Sequence, residues 1–495
     1  MAMLYKSTRG SGHLHASEAI LKGLADDGGL FMPAYIPVLS VPLTDLPNLS
    51  YQETAYLVMK DYLDDYTEEE LKSCIAKAYD EKFDTPEIAE LTQAGDRYFL
   101  ELYHGATIAF KDMALSLLPH LLTTAIRKNG VDKEIVILTA TSGDTGKAAL
   151  AGFSDVEGTR IIVFYPRGGV SRIQELQMVT TKGKNTSVIA VNGNFDDCQT
   201  GVKKIFHDEA FKQELDNAGF CFSSANSINI GRLVPQIAYY VFAYGRMMKL
   251  GAIKAGEKLD FTVPTGNFGN ILAAYFAKQM GLPIGRLICA SNDNKVLFDF
   301  FKTGTYDRNR PFILTTSPSM DILISSNLER LIYLSCKRND KVNQDLMTQL
   351  ARTGKYTVTD EMKEELKDFY GAYADQDQVQ DTILYFYEKY GYVIDPHTAV
   401  AAFADMQYRK RGAEGTKSVI ISTASPYKFG ETVLKAIDPD LSYRDDFEMA
   451  ERLQSLSKRN IPNAINDIRN AEILHKEVCD VPKMHESVKK ILFGS

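Results

Sequence analysis

Ile135-Val136-Ile137-Leu138, at the centre of Glu134–Ala140, passes without a linker into Thr141-Ser142-Gly143-Asp144-Thr145-Gly146. A helix start, Lys147-Ala148-Ala149-Leu150-Ala151, follows at once. The unit recurs as Asp260-Phe261-Thr262-Val263-Pro264, then Thr265-Gly266-Asn267-Phe268-Gly269-Asn270, then a helix from Ile271 to Met280. Consecutive apolar positions mark strands buried on both faces. Further strands are predicted at Tyr98–Leu102, Arg160–Pro166, Ser187–Val191, Arg286–Ser291 and Lys417–Pro426. Strands that alternate with helices predict an α/β fold built on parallel sheets.

A strand that turns directly into a helix aims free N–H groups and the positive end of the helix dipole at whatever sits over the turn, which favours an anion. Neither Gly-rich turn carries the dinucleotide fingerprint or the G-x-x-x-x-G-K pattern. A tight turn that needs glycine for steric reasons explains the pattern as well as a phosphate cradle does.

His104-Gly105-Ala106-Thr107-Ile108-Ala109-Phe110-Lys111-Asp112 places a lysine between two apolar runs, with Met113 to Leu118 after it predicted as a buried helix. Such a lysine either snorkels to water or sits in a dry site with a lowered pKa, where its amine can form a Schiff base. Beside Asp112, a solvated ion pair is the alternative.

Composition excludes several classes. At 495 residues the chain exceeds a single core, and 45% hydrophobic with 24% charged residues is ordinary for a globular protein. The net charge of −8 argues against nucleic acid or an anionic membrane as partner. No apolar run approaches the roughly 20 residues that span a bilayer, and Met1–Gly10 lacks a secretory core, so a cytoplasmic protein is expected. Six scattered cysteines without a C-x-x-C pair and eight dispersed histidines give no metal-ligand spacing.

Three units are expected: an N-terminal helical segment (1–95), a lysine-bearing α/β region (96–255), and a second α/β region (256–495). Residues 330–390 read as helices with solvated faces. Residues beyond about 440 read as a helical, charged appendage.

A lysine in an apolar setting, two Gly-rich turns at strand ends and the hydroxyl-rich strand end Ser422-Thr423-Ala424-Ser425 form the set that a phosphate-bearing aldehyde cofactor needs. The motifs resemble the long form of the threonine synthase family, enzymes that use pyridoxal 5'-phosphate (PLP) and have the tryptophan-synthase-β type of fold, PLP fold type II. The resemblance covers nearly the whole chain. It rests on Tyr5–Gly10, Gly23–Leu30, the Lys111 motif, Asn226–Arg232, Gly266–Asn270 and Thr423–Phe429. Two positions depart from the pattern: Ala106 stands where proline is usual, and Ser425 where histidine is common.

The resemblance implies two parallel-sheet α/β domains with the active site between them. Lys111 would form the internal aldimine and shuttle protons. Gly266, Asn267, Phe268, Gly269 and Asn270 would hold the cofactor phosphate, Thr423 would meet the pyridine nitrogen, and Asp144 would lie near the 3-hydroxyl. Ser142 and Thr145 would bind the substrate, and Asn226, Ser227 and Arg232 would grip its phosphate. The implied reaction is a lyase step of threonine biosynthesis, from O-phospho-L-homoserine and water to L-threonine and phosphate, with a monomer favoured and a dimer open. A phospho-lyase that releases a 2-oxo acid and a non-catalytic binding protein of the same fold are the alternatives. Taken residue by residue, other roles stay open: Asn226 and Ser227 as an N-cap pair for the helix near Gly231, Arg232 as a surface ion pair, Thr423 as an ordinary strand end, and Lys147 as a solvated residue outside the site.

Overall fold

The structure is a computed structural model that describes residues 2–494 apart from Ser142, Ala413, Glu414, Asp440, Leu441 and Arg444. Two sheets organise the chain. One has five parallel strands in the order Glu477–Asp480, Thr186–Asn192, Thr159–Pro166, Glu134–Ala140, Phe220–Ser223. The other has six, in the order Phe369–Tyr373, Ile284–Ser291, Leu259–Pro264, Lys417–Ser422, Arg97–Glu101, Glu90–Ala94. All its pairings are parallel except the last, an antiparallel hairpin.

Side chains on successive residues of a strand face opposite sides, and here both sides are core. Ile135 and Ile137 join a central cluster, while Val136 and Leu138 join an outer one with Val488 and Leu492 of the helix Met484–Phe493. In the second sheet Leu287 and Cys289 face the central cluster, and Ile288 and Ala290 an outer layer with Ile383 and Val400. The central cluster is therefore shared by the inner faces of both sheets. Through it runs the helix Ile230–Lys249, buried along nearly its whole length.

The N-terminal segment adds three helices, Ala16–Lys22, Tyr51–Met59 and Glu68–Ala78. Ser50 with Glu53 and Thr67 with Glu70 form capping boxes that satisfy the first N–H groups of the last two. The segment is tied to the body by Arg9, whose guanidinium donates to both oxygens of Glu329 at 2.9 and 2.8 Å, and by the fully buried Arg330, which donates to the Phe31 carbonyl.

Four departures from expectation are physical in origin. The chain crosses the expected boundary at residue 255: Arg97–Glu101 pairs with Lys417–Ser422, and Glu477–Asp480 pairs with Thr186–Asn192. Residues 330–390 contain the edge strand Phe369–Tyr373, short and interrupted by Gly371, and the charged C-terminal appendage contains the strand Glu477–Asp480. Edge strands need only one paired side and lack a continuous apolar run. Leu328–Ser335, expected as a helix with a solvated face, is almost wholly buried. Finally, the helix after Lys111 is a single turn, Asp112–Leu115, and a new helix starts at Leu118 with Pro119 in its first turn.

Candidate active site

Lys111 lies at the N-terminus of the short helix Asp112–Leu115, and its loop is pinned to the end of the strand Lys417–Ser422. The Phe110 N–H donates to the Thr423 carbonyl at 2.8 Å and the Ser425 N–H to the Ile108 carbonyl at 3.1 Å. These two bonds bring Lys111 and Thr423 together across 312 residues of sequence (423 − 111). Asp112, expected as a solvated partner of Lys111, is instead buried, and its carboxylate accepts from the Thr107 N–H at 2.7 Å and the Thr107 hydroxyl at 2.5 Å.

Lys111 Nζ faces Asp144 Oδ2 at 3.3 Å and Ser319 Oγ at 3.4 Å. Burial pushes its amine pKa down; Asp144 opposes this, and Lys428 and Arg232 add to the lowering. Asp144 opens the helix Asp144–Phe153 after Gly143, whose φ of 137° suits only glycine and whose absent Cβ leaves room for Gln174. The carboxylate of Asp144 is crowded: Lys428 Nζ lies 2.8 Å from Oδ1, Gln174 Nε2 2.9 Å from Oδ1, and Ser319 Oγ 3.1 Å from Oδ2. Burial alone would raise this carboxyl, but the ammonium groups of Lys428 and Lys111 hold it well below the ordinary range.

The two Gly-rich turns are not equivalent. At 141–146, the Thr141 hydroxyl already accepts from the Gly143 and Gly146 N–H groups, both at 3.0 Å. At 266–270 the turn enters the helix Gly269–Gln279, whose first N–H groups have no partner within the helix. Phe268 takes a left-handed conformation (φ 65°), with its ring packed on Phe301 and Phe369. Gly266 permits close approach: a Cβ there would lie 2.6 Å from the Ser319 carbonyl oxygen. Asn270 is buried, with Oδ1 accepting from Tyr239 and Tyr240, while its Nδ2 has no partner among the described residues.

Arg232 is not a surface ion pair. It is 4% exposed, Nη1 donates to the Ala225 carbonyl at 3.0 Å, and Nε has no partner among the described residues. Burial without a counter-ion lowers its pKa to about 10. Asn226 and Ser227 are not the cap of its helix either, because Asn229 takes that place, accepting from the Gly231 N–H at 2.9 Å. Asn226 is exposed, and Ser227 donates to it at 3.3 Å. The Ser227 carbonyl accepts from Asn327, whose own N–H donates to the Asn267 carbonyl; one asparagine thus joins this loop to the 266–270 turn. Thr423 is buried, Thr145 half-buried, and Ser142 lies outside the described residues.

Sequence reasoning passed over five groups. Lys147, expected to be solvated, is buried and donates to the Thr107 carbonyl at 2.9 Å. Gln174, Ser319 and Lys428 complete the surroundings of Asp144. His397, buried, accepts from the Ser319 N–H at 3.2 Å and meets Asp395 through Nδ1 at 2.7 Å, which supports Ser319 from behind.

A buried lysine, an N–H-lined turn at a helix N-terminus, and on that turn an amide and nearby a cation that have no partner among the described residues fit a cofactor with an aldehyde and a phosphate. Fold and site define a pyridoxal-phosphate dependent enzyme, and residues 84–424 match the family of that description. Residues 4–79 match the threonine synthase N terminus and 398–479 the threonine synthase C-terminal family. Threonine synthase of Saccharomyces cerevisiae is 37% identical over 489 residues, covering 92% of this chain and 93% of its own. The crystal structure of PLP-bound threonine synthase from Brucella melitensis superposes with a TM-score of 0.85 at 34% identity, covering 99% of both chains. Human threonine synthase-like 1 is 40% identical over 436 residues; the match takes in 85% of this chain but 58% of that protein's length. The chain belongs to the threonine synthase family, with its parallel-sheet α/β fold, helical N- and C-terminal segments and pyridoxal 5'-phosphate as cofactor.

Proposed function

We propose that the chain is a threonine synthase, a lyase that converts O-phospho-L-homoserine and water to L-threonine and phosphate. One observation carries this reading: Arg232 is buried beside Lys111 with no anionic partner among the described residues, at a distance in the chain from the separate anion turn at 266–270. A site with one lysine and two places for anions suits a phosphorylated amino acid as well as a phosphorylated cofactor.

Gly266 to Asn270 would hold the cofactor phosphate through backbone N–H groups, Lys111 would carry the cofactor, Thr423 would offer its ring nitrogen a neutral hydroxyl, and Asp144 would lie near its ring hydroxyl. The group would supply an electron sink for the substrate carbons. Lys111, its basicity reduced by burial, takes the Cα proton. Arg232, with Asn226 and Ser227, holds the substrate phosphate until loss of a Cβ proton lets it leave from Cγ. Ser142 and Thr145 hold the remainder of the substrate. The proton lost from Cβ is made good at Cγ, where the phosphate left; water then adds its hydroxyl at Cβ, its own proton going to the phosphate, and Lys111 returns its proton to Cα.

The same groups would serve a phospho-lyase. Incubation with O-phospho-L-homoserine decides. Threonine and phosphate in equal amounts are expected; 2-oxobutyrate with phosphate would replace the synthase reading, and no phosphate release would end both.

A further inference from the structure

Lys428 sits in the short turn Pro426–Phe429 that follows Thr423, and its side chain has no exposure. Its ammonium lies 2.8 Å from Asp144 Oδ1 and 3.2 Å from the Thr107 carbonyl, which Lys147 also contacts. Burying an ammonium is costly unless it is paired, and this one is paired with a carboxylate that already faces another lysine. Asp144 divides its oxygens: Oδ1 takes Lys428 and Gln174, while Oδ2 takes Lys111 and Ser319. Around Lys111 the charged groups are Asp144, Lys428, Arg232 and Lys147; around Lys428 they are Asp144, Asp112, Lys147 and Lys111. The cations outnumber the carboxylates four to two, from Lys111, Lys147, Lys428 and Arg232 against Asp112 and Asp144.

We propose that Lys428 is a positioning residue for Lys111: by holding Asp144 Oδ1 it fixes the orientation of Oδ2, and by its charge it favours release of the proton from the Lys111 nitrogen. The inference rests on the PLP reading of the site. Without Lys428, the carboxylate would have Lys111 as its main partner and would hold the proton there. Asp144 and Lys428 thus form a compensated pair, and removal of either member shifts the Lys111 nitrogen in opposite senses.

The test is a pH titration of the visible absorbance of the full-length, cofactor-loaded enzyme. In Lys428→Met the midpoint is expected to rise by about one pH unit or more, the size usual for a charge a few ångströms away. In Asp144→Asn it is expected to fall, and the double variant to return toward the wild-type value. Lys428→Gln keeps a donor for Thr107 and Asp144 without the charge, so it separates charge from packing and should still raise the midpoint. Unchanged midpoints in folded Met and Gln variants would overturn the proposal, and so would failure of both to fold, which would make Lys428 purely structural. The titration does not depend on the product formed, so a wrong reaction leaves it intact. A wild-type enzyme without a visible band would instead sink the cofactor site itself.

Discussion

Arg232 carries a cost in the free protein, since a buried guanidinium with no anionic partner among the described residues is unfavourable. Arg232→Ala should therefore relieve that cost while removing the proposed substrate contact. Thermal stability should hold or rise, and kcat/KM for O-phospho-L-homoserine should fall by about 10- to 100-fold, mainly through KM, the range for one or two charge-assisted hydrogen bonds. Steady-state kinetics beside a melting curve checks both. Lys111 was legible because it breaks an apolar run. Lys147 and Lys428 were not: a lysine in a first helical turn or a polar loop looks solvated, and only the fold shows that both close on the Thr107 carbonyl. Ser319 reaches Lys111 across 208 residues, a contact that no local pattern encodes.

At the scale of elements, the anion turn depends on close backbone packing. Gly266→Ala would drive a methyl group into the Ser319 carbonyl, 2.6 Å away. Overpacking of this kind costs about 1–3 kcal/mol, so cofactor affinity, measured by titration of the apoenzyme, should weaken by roughly tenfold or more. A second element-level device ties the strand Arg97–Glu101 to the C-terminal segment: Glu101 accepts from Arg459 at 2.8 Å and from Tyr392 at 2.7 Å, and His104 lies between Glu101 and Asp84. Burial lowers the His104 pKa, but its bonds to Asp84 and Glu101 outweigh this and raise it to about 9. A raised folded-state pKa contributes stability that is complete below the ordinary histidine value of 6.5 and is lost as pH rises toward 9. Denaturant unfolding should show that decline over this window, by at most about 3 kcal/mol, and His104→Gln should flatten it. Buried strands with continuous apolar runs were readable in the sequence, whereas Phe220–Ser223 and Glu477–Asp480, at the sheet margins, are only four residues long and too short to stand out.

Across the whole molecule, the last residues close a sheet laid down three hundred residues earlier. Glu477–Asp480 covers the edge of Thr186–Asn192, and Met484, Val488 and Leu492 seal the outer cluster around Val136 and Phe164. Truncation before residue 476 should expose that edge and those apolar side chains, and so lower the melting temperature and promote aggregation, read by light scattering. The alternation of strand and helix made the α/β class and the two anchoring turns visible in sequence; the crossing of residue 255 was not, because strand order is set by sheet packing rather than by chain order. Among the described residues no helix is long and apolar enough to cross a membrane. The account as a whole turns on Lys111 as the residue that carries the cofactor. Borohydride reduction of the cofactor-loaded enzyme followed by peptide mapping measures this directly: the account predicts loss of the visible band and a pyridoxyl label on Lys111 alone, and a label on Lys147, Lys428 or any other lysine would contradict it.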